Sequence, residues 1–247
     1  MAPNQAGLSV IVPVHNEAAT VERALLDMVL ATRSLGVPFE ILVCENGSTD
    51  DSRAIVERLA VADARIRLEI LAVPDYGAAL QHGIRVACYD DVVIFNVDYW
   101  SAEFLATALA GLATHDMVIG SKVTGRDRRP VVRRLITRSF NWFLRVSFGF
   151  GGTDTHGMKA FRRASAAALA AECVSKGWVF DTELVLRAER HGLAIMERPV
   201  DTMEIRPPSY LAIVKRVPET IRNLKRMRRG LRSVDRRAAR SVPAQHP

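Results

Sequence analysis

Four carboxylates, Glu17, Glu45, Asp75 and Asp98, stand at or just beyond the ends of four short apolar runs. The runs are LSVIVPV (8–14), FEILVC (39–44), RLEILAV (67–73) and VVIFNV (92–97). A carboxylate at the tip of a buried strand costs burial energy unless a ligand or a backbone donor uses it. Each has a structural explanation of its own: Glu17 suits a first helical turn, and Asp98 suits a cap for a helix beginning near Ser101. Four acids on one rim point instead to a shared ligand. Such a rim repels bare phosphates. It suits phosphates that arrive with a divalent cation, Mg or Mn, and a base and ribose whose N–H and O–H groups donate to carboxylates. That is the chemistry of a nucleotide-sugar.

The rim exists only if the runs lie side by side in one sheet. A helical pattern separates them each time. Val21, Leu25, Met28, Val29, Thr32 and Leu35 share one helical face, with Asn16 as a natural cap and Gly36 as a natural stop. Ser48 and Asp51 have capping-box spacing at the head of a second helix over 48–60. Helices near 77–88 and 102–113 and a strand over 116–123 continue the alternation. Strands apolar on both faces, with amphipathic helices between them, predict a mostly parallel, Rossmann-like α/β sheet covered by helices on both faces. Ligands of such sheets bind beyond the carboxyl ends of the strands. Two phosphate-binding classes are excluded. The first run is followed by PVHNEAA rather than G-x-G-x-x-G, and there is no G-x-x-x-x-G-K-[ST].

The charge is uneven. Net charge over the 247 residues is +7, yet from Met203 onward twelve Lys and Arg face three acids, a net of +9. The body is therefore close to neutral and the tail is basic, which predicts an anionic partner, membrane surface or nucleic acid. The basic run is poor in aromatics and no RNA-binding motif is present, so no nucleic acid is expected. Cys44, Cys88 and Cys173 form no C-x-x-C and read as reduced thiols of a cytosolic protein. The start, MAPNQAG, lacks an apolar signal core, and no apolar run approaches the length of a membrane span.

The segments LSVIVPVHNEAATV, FEILVCENGSTDDS, VVIFNVDYW, VIGSKV, GTDTHGMKAFRR and GWVFDTELVLRAERHGLAIMERPV, in that order over residues 8 to about 209, resemble family 2 glycosyltransferases. The resemblance is strongest to the polyprenyl- and dolichyl-phosphate mannose or glucose synthases. It implies a GT-A fold over 1–202, with a nucleotide-sugar half at about 8–123 and an acceptor half at about 124–202, followed by a basic helical tail over 203–247. It implies inverting, metal-assisted transfer from a nucleotide-diphosphate sugar to a membrane lipid phosphate or a glycolipid hydroxyl. Pro13, His15, Asn16 and Glu17 match one base- and ribose-binding turn, and Glu45, Asn46, Gly47, Ser48, Thr49 and Asp50 match the other; Asp75 shares their rim. The family's metal-binding D-x-D falls on Asn96 and Asp98. The first Asp is thus replaced by a poorer ligand, and Trp100 and Tyr76 stand where relatives carry Gln and a basic residue.

In the second half, the resemblance places Asp154, His156 and Lys159 beside the sugar and acceptor pocket, and Arg206 near a donor or acceptor phosphate. Asp98 and Asp181 are the catalytic candidates. A hydroxyl acceptor needs Asp181 to take its proton, whereas a lipid phosphate is already a nucleophilic anion. In the stretch 128–152, Arg133, Arg134, Arg138 and Arg145 alternate with Leu135, Ile136, Phe140, Phe143 and Leu144. It resembles the helix on which the family docks at membranes; an ordinary helix packed on the sheet is the competing reading. With a tail carrying Leu211, Val214, Ile221, Leu224 and Met227 among its bases, the expectation is a cytoplasmic enzyme held peripherally at the inner face of the cell membrane. Two other classes stay open: a transferase fold that has become a binding protein, favoured by Asn96, Tyr76 and Trp100, and a nucleic-acid binder acting through the tail.

Overall fold

The computed structural model describes residues 5–122, 129–201 and 217–231. The elements run β1 (Leu8–Val14), α1 (Val21–Arg33), β2 (Phe39–Asn46), α2 (Ser52–Ala62), β3 (Ile66–Leu71), α3 (Tyr76–Val86), β4 (Asp91–Ile94), α4 (Ala102–Leu112), β5 (Met117–Ser121), α5 (Val131–Phe148), β6 (Lys159–Arg162), α6 (Arg163–Glu172), α7 (Val179–Arg190) and β7 (Ile195–Pro199). A last helix, α8, covers 217–231. One seven-stranded sheet has the order β3-β2-β1-β4-β6-β5-β7. Its pairs are parallel except where β6 meets β4 and β5. The expected α/β architecture is therefore present. The four- and five-residue strands β6 and β7, KAFR and IMERP, are too short and too charged to show as apolar runs.

Strand side chains sort by parity onto two cores. Val10, Val12, Ile41, Val43, Val93 and Phe95 pack with Leu25 and Met28 of α1, Val56 of α2 and Phe104 and Leu105 of α4. Ile11, Leu42, Cys44, Val92 and Ile94 pack with Leu80 and Ile84 of α3, Leu169 of α6 and Phe180 and Leu184 of α7. Alternate residues of one strand point to opposite faces, so a strand apolar throughout must be covered twice. All seven residues of β1 and all eight of β2 are buried.

Two helix starts differ from expectation. α1 begins at Val21 behind Thr20, not behind Asn16, and α2 has Asp51 at its N-cap, with no cap bond from a side chain in either case. Asn16 and Ser48 are used across the chain instead. Asn16 has φ of 56°, in the left-handed region that asparagine tolerates. Its N–H donates to Ser48 Oγ at 3.0 Å, and its Oδ1 accepts from Thr49 N at 2.8 Å. Ser52 Oγ accepts from Glu17 N at 2.7 Å, and Asp50 Oδ2 from Ala18 N at 3.0 Å. These bonds fasten the loop after β1 to the loop after β2.

α5 and α8 are the amphipathic additions. On α5 only Asn141 and Leu144 are buried. Val131, Leu135, Trp142 and Val146 are 68%, 63%, 66% and 68% exposed. α8 buries Asn223, Met227 and Leu231 and exposes Arg222, Lys225, Arg226, Arg228 and Arg229. Met227 and Leu231 join the core containing α6 and α7, and Asn223 Nδ2 donates to Lys176 O at 3.2 Å. This part of the tail is thus docked on the body. Among the described residues no helix is long and apolar enough to cross a membrane.

Candidate functional site

The carboxyl ends of β1, β2 and β4 open into one cavity of about 670 Å³. It lies where the strand order turns back, between β1 and its two neighbours, the place such sheets use for ligands. Pro13, His15, Glu17, Asn46, Asp75, Asn96 and Asp98 line it, all of them expected there. So do His156 and Asp181 from the second half of the chain. Tyr76, singled out in the sequence as a departure from the family pattern, lines it too, as do Arg133, Trp178 and Glu219, which the site motifs did not announce. Trp178 could have been noticed in GWVFDTE; nothing in the sequence brings Glu219, on α8, to the mouth.

Asp98 is exposed, and the cap of α4 is Ser101, whose Oγ accepts from Phe104 N at 3.1 Å. Capping therefore does not explain Asp98. It sits in a tight turn closed by Asn96 N donating to Tyr99 O at 3.2 Å and Tyr99 N to Asn96 O at 3.1 Å. The turn presents Asn96 and Asp98 together to the cavity.

The other acids divide. Glu17 lines the cavity and accepts from Thr20 Oγ1 at 3.1 Å. Glu45 does not line it: the side chain is buried and its Oε1 accepts from Ser48 N at 2.5 Å, shaping the turn at Gly47, whose φ is 68°. Asp75 lines the cavity, yet one oxygen caps α3 and also accepts from Gly177 N at 2.9 Å. Its own N–H donates to Asn46 Oδ1 at 2.8 Å, and Asn46 O meets His15 Nδ1 at 2.9 Å. Glu45 Oε1, Asn46 Oδ1 and Asp75 Oδ1 are therefore used to hold the loops, although Asn46 and Asp75 still line the cavity.

Asp181 has a different setting. It is 4% exposed, with Oδ1 3.2 Å from Nζ of Lys159 and Oδ2 accepting from the Tyr76 hydroxyl at 3.2 Å. The Lys159 contact is an ion pair in which Oδ1 accepts no hydrogen bond, while Nζ donates to Gly157 O at 2.8 Å. Lys159 is itself fully buried, so it reaches the cavity only through Asp181. Asp154 is also buried away from the cavity. Its Oδ1 accepts from His156 N and it pairs with Lys122 at 3.7 Å. Burial opposes its charge, but Lys122 and two backbone N–H groups hold the carboxyl below its usual range.

His156 faces Trp178 with ring centroids 4.9 Å apart, and Phe140 of α5 stacks against both. Burial first, and then the nearby lysines Lys122 and Lys159, push its pKa down to about 4, so the ring is neutral at physiological pH. Burial likewise pushes the Tyr76 phenol well above its ordinary value, with the Asp181 charge adding to it. Arg206 lies outside the described residues, as do both ends of the basic tail.

Among the described residues, no group of three acid, histidine or cysteine side chains is placed to hold a metal by itself. Asn96 and Asp98 fit a hard divalent cation in part. They offer one amide oxygen and one carboxylate, about a third of an octahedral shell, and a cation that brings phosphate and water oxygens can complete it.

Comparison with known proteins agrees with this fold. The family model for glycosyl transferase family 2 matches residues 9–169. A glycosyltransferase from Haloferax volcanii, AglD, is 32% identical over 206 residues, covering 78% of this chain and 32% of its own length. An undecaprenyl-phosphate 4-deoxy-4-formamido-L-arabinose transferase from Pectobacterium carotovorum is 25% identical over 66% of this chain and 50% of its own. The chain thus spans between a third and half of these relatives. In fold it is similar to glucosyl-3-phosphoglycerate synthase from Mycobacterium tuberculosis, solved with Mn2+ and UDP-glucose. That likeness has a TM-score of 0.67 and 22% identity, over 90% of this chain and 79% of the other.

Proposed function

We propose that this chain, which belongs to glycosyl transferase family 2, transfers a sugar from a nucleoside-diphosphate sugar to a lipid-linked phosphate at a membrane surface. In this reading Pro13, His15 and Glu17 receive the base and ribose. Asp98 and the amide oxygen of Asn96 hold a divalent cation, Mg or Mn, that arrives on the diphosphate. When bound, the cation neutralises charge that develops on the leaving diphosphate.

The observation that carries the choice of acceptor is the state of Asp181. Asp181 is 4% exposed, ion-paired with a fully buried lysine and hydrogen-bonded by a phenol, so both of its oxygens face the protein's own groups. Neutral His156, with its pKa at about 4, is a weak base. An acceptor that arrives ionised needs neither, and the protein's task reduces to alignment. Arg133 at the cavity wall supplies a cation for it.

A lipid-borne phosphate also accounts for α5. Its exposed Leu135, Trp142 and Val146 suit an interfacial helix, and its N-terminal end reaches the cavity through Arg133. The basic outer face of α8 suits anionic headgroups. Peripheral attachment at the inner face of the cell membrane follows from this reading.

The test has two stages. A thermal-shift panel of UDP-, GDP- and TDP-sugars with and without Mn2+ identifies the donor, because a ligand of the folded state raises Tm by mass action. Transfer of labelled sugar from that donor is then measured to polyprenyl phosphate and to a polyprenyl alcohol in anionic vesicles. Product from the phosphate alone supports the proposal, and product from the alcohol alone refutes it. Binding of the donor without turnover on either acceptor favours instead the binding-protein reading, for which Asn96 is the specific sign.

A further inference from the structure

Lys122 directly follows β5, and its side chain is 11% exposed. Its Nζ donates to His156 O at 2.8 Å and lies 3.7 Å from Asp154 Oδ2. Its backbone N–H donates to the same carboxylate oxygen at 3.2 Å. The ammonium also stands over the Tyr99 ring, 5.0 Å from its centroid. A carbonyl, a carboxylate and a ring face all attract a cation. Burial lowers the pKa of the ammonium, and the Asp154 charge works against that shift.

These three partners belong to two walls. Tyr99 closes the turn that presents Asn96 and Asp98, through its two main-chain bonds to Asn96. With that N–H and C=O spent on the turn, the ring face is the part of Tyr99 that a cation can hold. Asp154 and His156 belong to the loop before β6, where Asp154 Oδ1 accepts from His156 N at 2.9 Å and His156 lines the cavity. Lys122 itself does not line it. We propose that Lys122 is a positioning residue: its ammonium clamps the 96–99 turn to the 154–156 loop and so fixes where the Asp98 carboxylate stands against the acceptor-side wall. The inference rests on the reading of this cavity as a nucleoside-diphosphate site whose cation meets Asn96 and Asp98. It adds a residue that acts on the cation site from behind, through a ring face.

The experiment measures nucleotide and Mn2+ affinity separately, by calorimetry on the full-length protein. Wild type, Lys122→Met, Tyr99→Leu and the double variant are titrated with UDP or GDP without metal, and then with Mn2+ at saturating nucleotide. Lys122→Met keeps the length of the side chain and removes its charge. It also leaves Asp154 without its cation, so thermal unfolding checks that it folds. Tyr99→Leu keeps that ion pair, tests the clamp from the other side, and decides alone if Lys122→Met does not fold. We expect either change to weaken Mn2+ binding by about three- to thirtyfold, up to the worth of a desolvated cation–π contact. Metal-free nucleotide affinity should change by less than about twofold, because Pro13, His15 and Glu17 stand at and beyond the end of β1, outside the clamp. The double variant should lose no more than the larger single loss, because ring and charge act as one contact. A fall in Tm with Mn2+ affinity unchanged makes Lys122 merely structural and overturns the proposal. Losses that multiply in the double variant, or that fall equally on the metal-free nucleotide, overturn it as well. If neither nucleotide binds wild type with or without Mn2+, the reading of the cavity itself fails and this proposal falls with it.

Discussion

Replacing Lys159 with Met tests whether the acceptor-side wall is built on a buried ion pair. Methionine keeps the length of the side chain and removes the charge. Lys159 is 0% exposed and its Nζ lies 3.2 Å from Asp181 Oδ1. At that distance two unit charges in a medium of effective dielectric about 20 attract by about 5 kcal/mol. Removing one partner of such a pair costs about 3–5 kcal/mol, because the other charge stays buried with less compensation. Asp181 would keep the Tyr76 hydroxyl and little else. For a chain of this size the expected fall in Tm is roughly 6–20 °C. Urea unfolding at neutral pH, followed by far-UV circular dichroism, gives the free energy. Lys159→Met combined with Asp181→Asn should cost less than the sum of the single changes by at least about 2 kcal/mol, since it removes both charges together. Additive losses, or a single Lys159→Met loss below about 1 kcal/mol, would refute the argument. The Asp181 carboxylate would then not be held by Lys159, and the case for an ionised acceptor would weaken with it.

Three further outcomes are expected. Asp98→Ala should leave Tm within a degree or two, as for an exposed residue that caps nothing, and should abolish the Mn2+-dependent part of nucleotide binding. Ser101→Ala should do the reverse, costing about 1 kcal/mol of stability with binding intact; a Tm loss in Asp98→Ala would restore it to a structural role. Trp142→Glu, at a position 66% exposed on α5, should reduce sedimentation with anionic vesicles without changing Tm, and undiminished sedimentation would remove α5 from the membrane contact. Lowering pH should destabilise the protein through His156. Its pKa falls from 6.5 to about 4 on folding, so the unfolded chain takes up the proton first. Its contribution is intact above pH 6.5 and is lost as pH drops toward 4, on the order of 2–3 kcal/mol. His156→Asn should flatten stability over that interval, and an unchanged slope would show that the ring titrates normally.

The alternation of apolar runs with amphipathic helices was enough to determine the α/β class and the faces of the sheet. Periodicity is a local property, and β1 and β2 had no other way to bury both of their sides. The rim of polar residues followed from chain direction, because parallel strands put all their exits at one edge. Asp98 and Glu17 could therefore be placed in the cavity from the sequence, and the motif order carried the family. Which carboxylates line the cavity was decided by tertiary structure. Glu45 and Asp75 look equivalent to Asp98 along the chain, yet Glu45 is buried off the cavity with Ser48 N on its Oε1, while Asp75 lines it with one oxygen shared by Ala78 N and Gly177 N. The donor in that last bond lies 102 positions away. The same holds for the pairing of Lys159 with Asp181 and for the hydrogen bond from Tyr76 to Asp181, 105 positions apart. Strand β6 runs antiparallel into the middle of the sheet and brings Lys159 beneath α7. A four-residue strand carries too little pattern to announce that insertion, and the register that sets these contacts is fixed by packing between elements far apart in the chain.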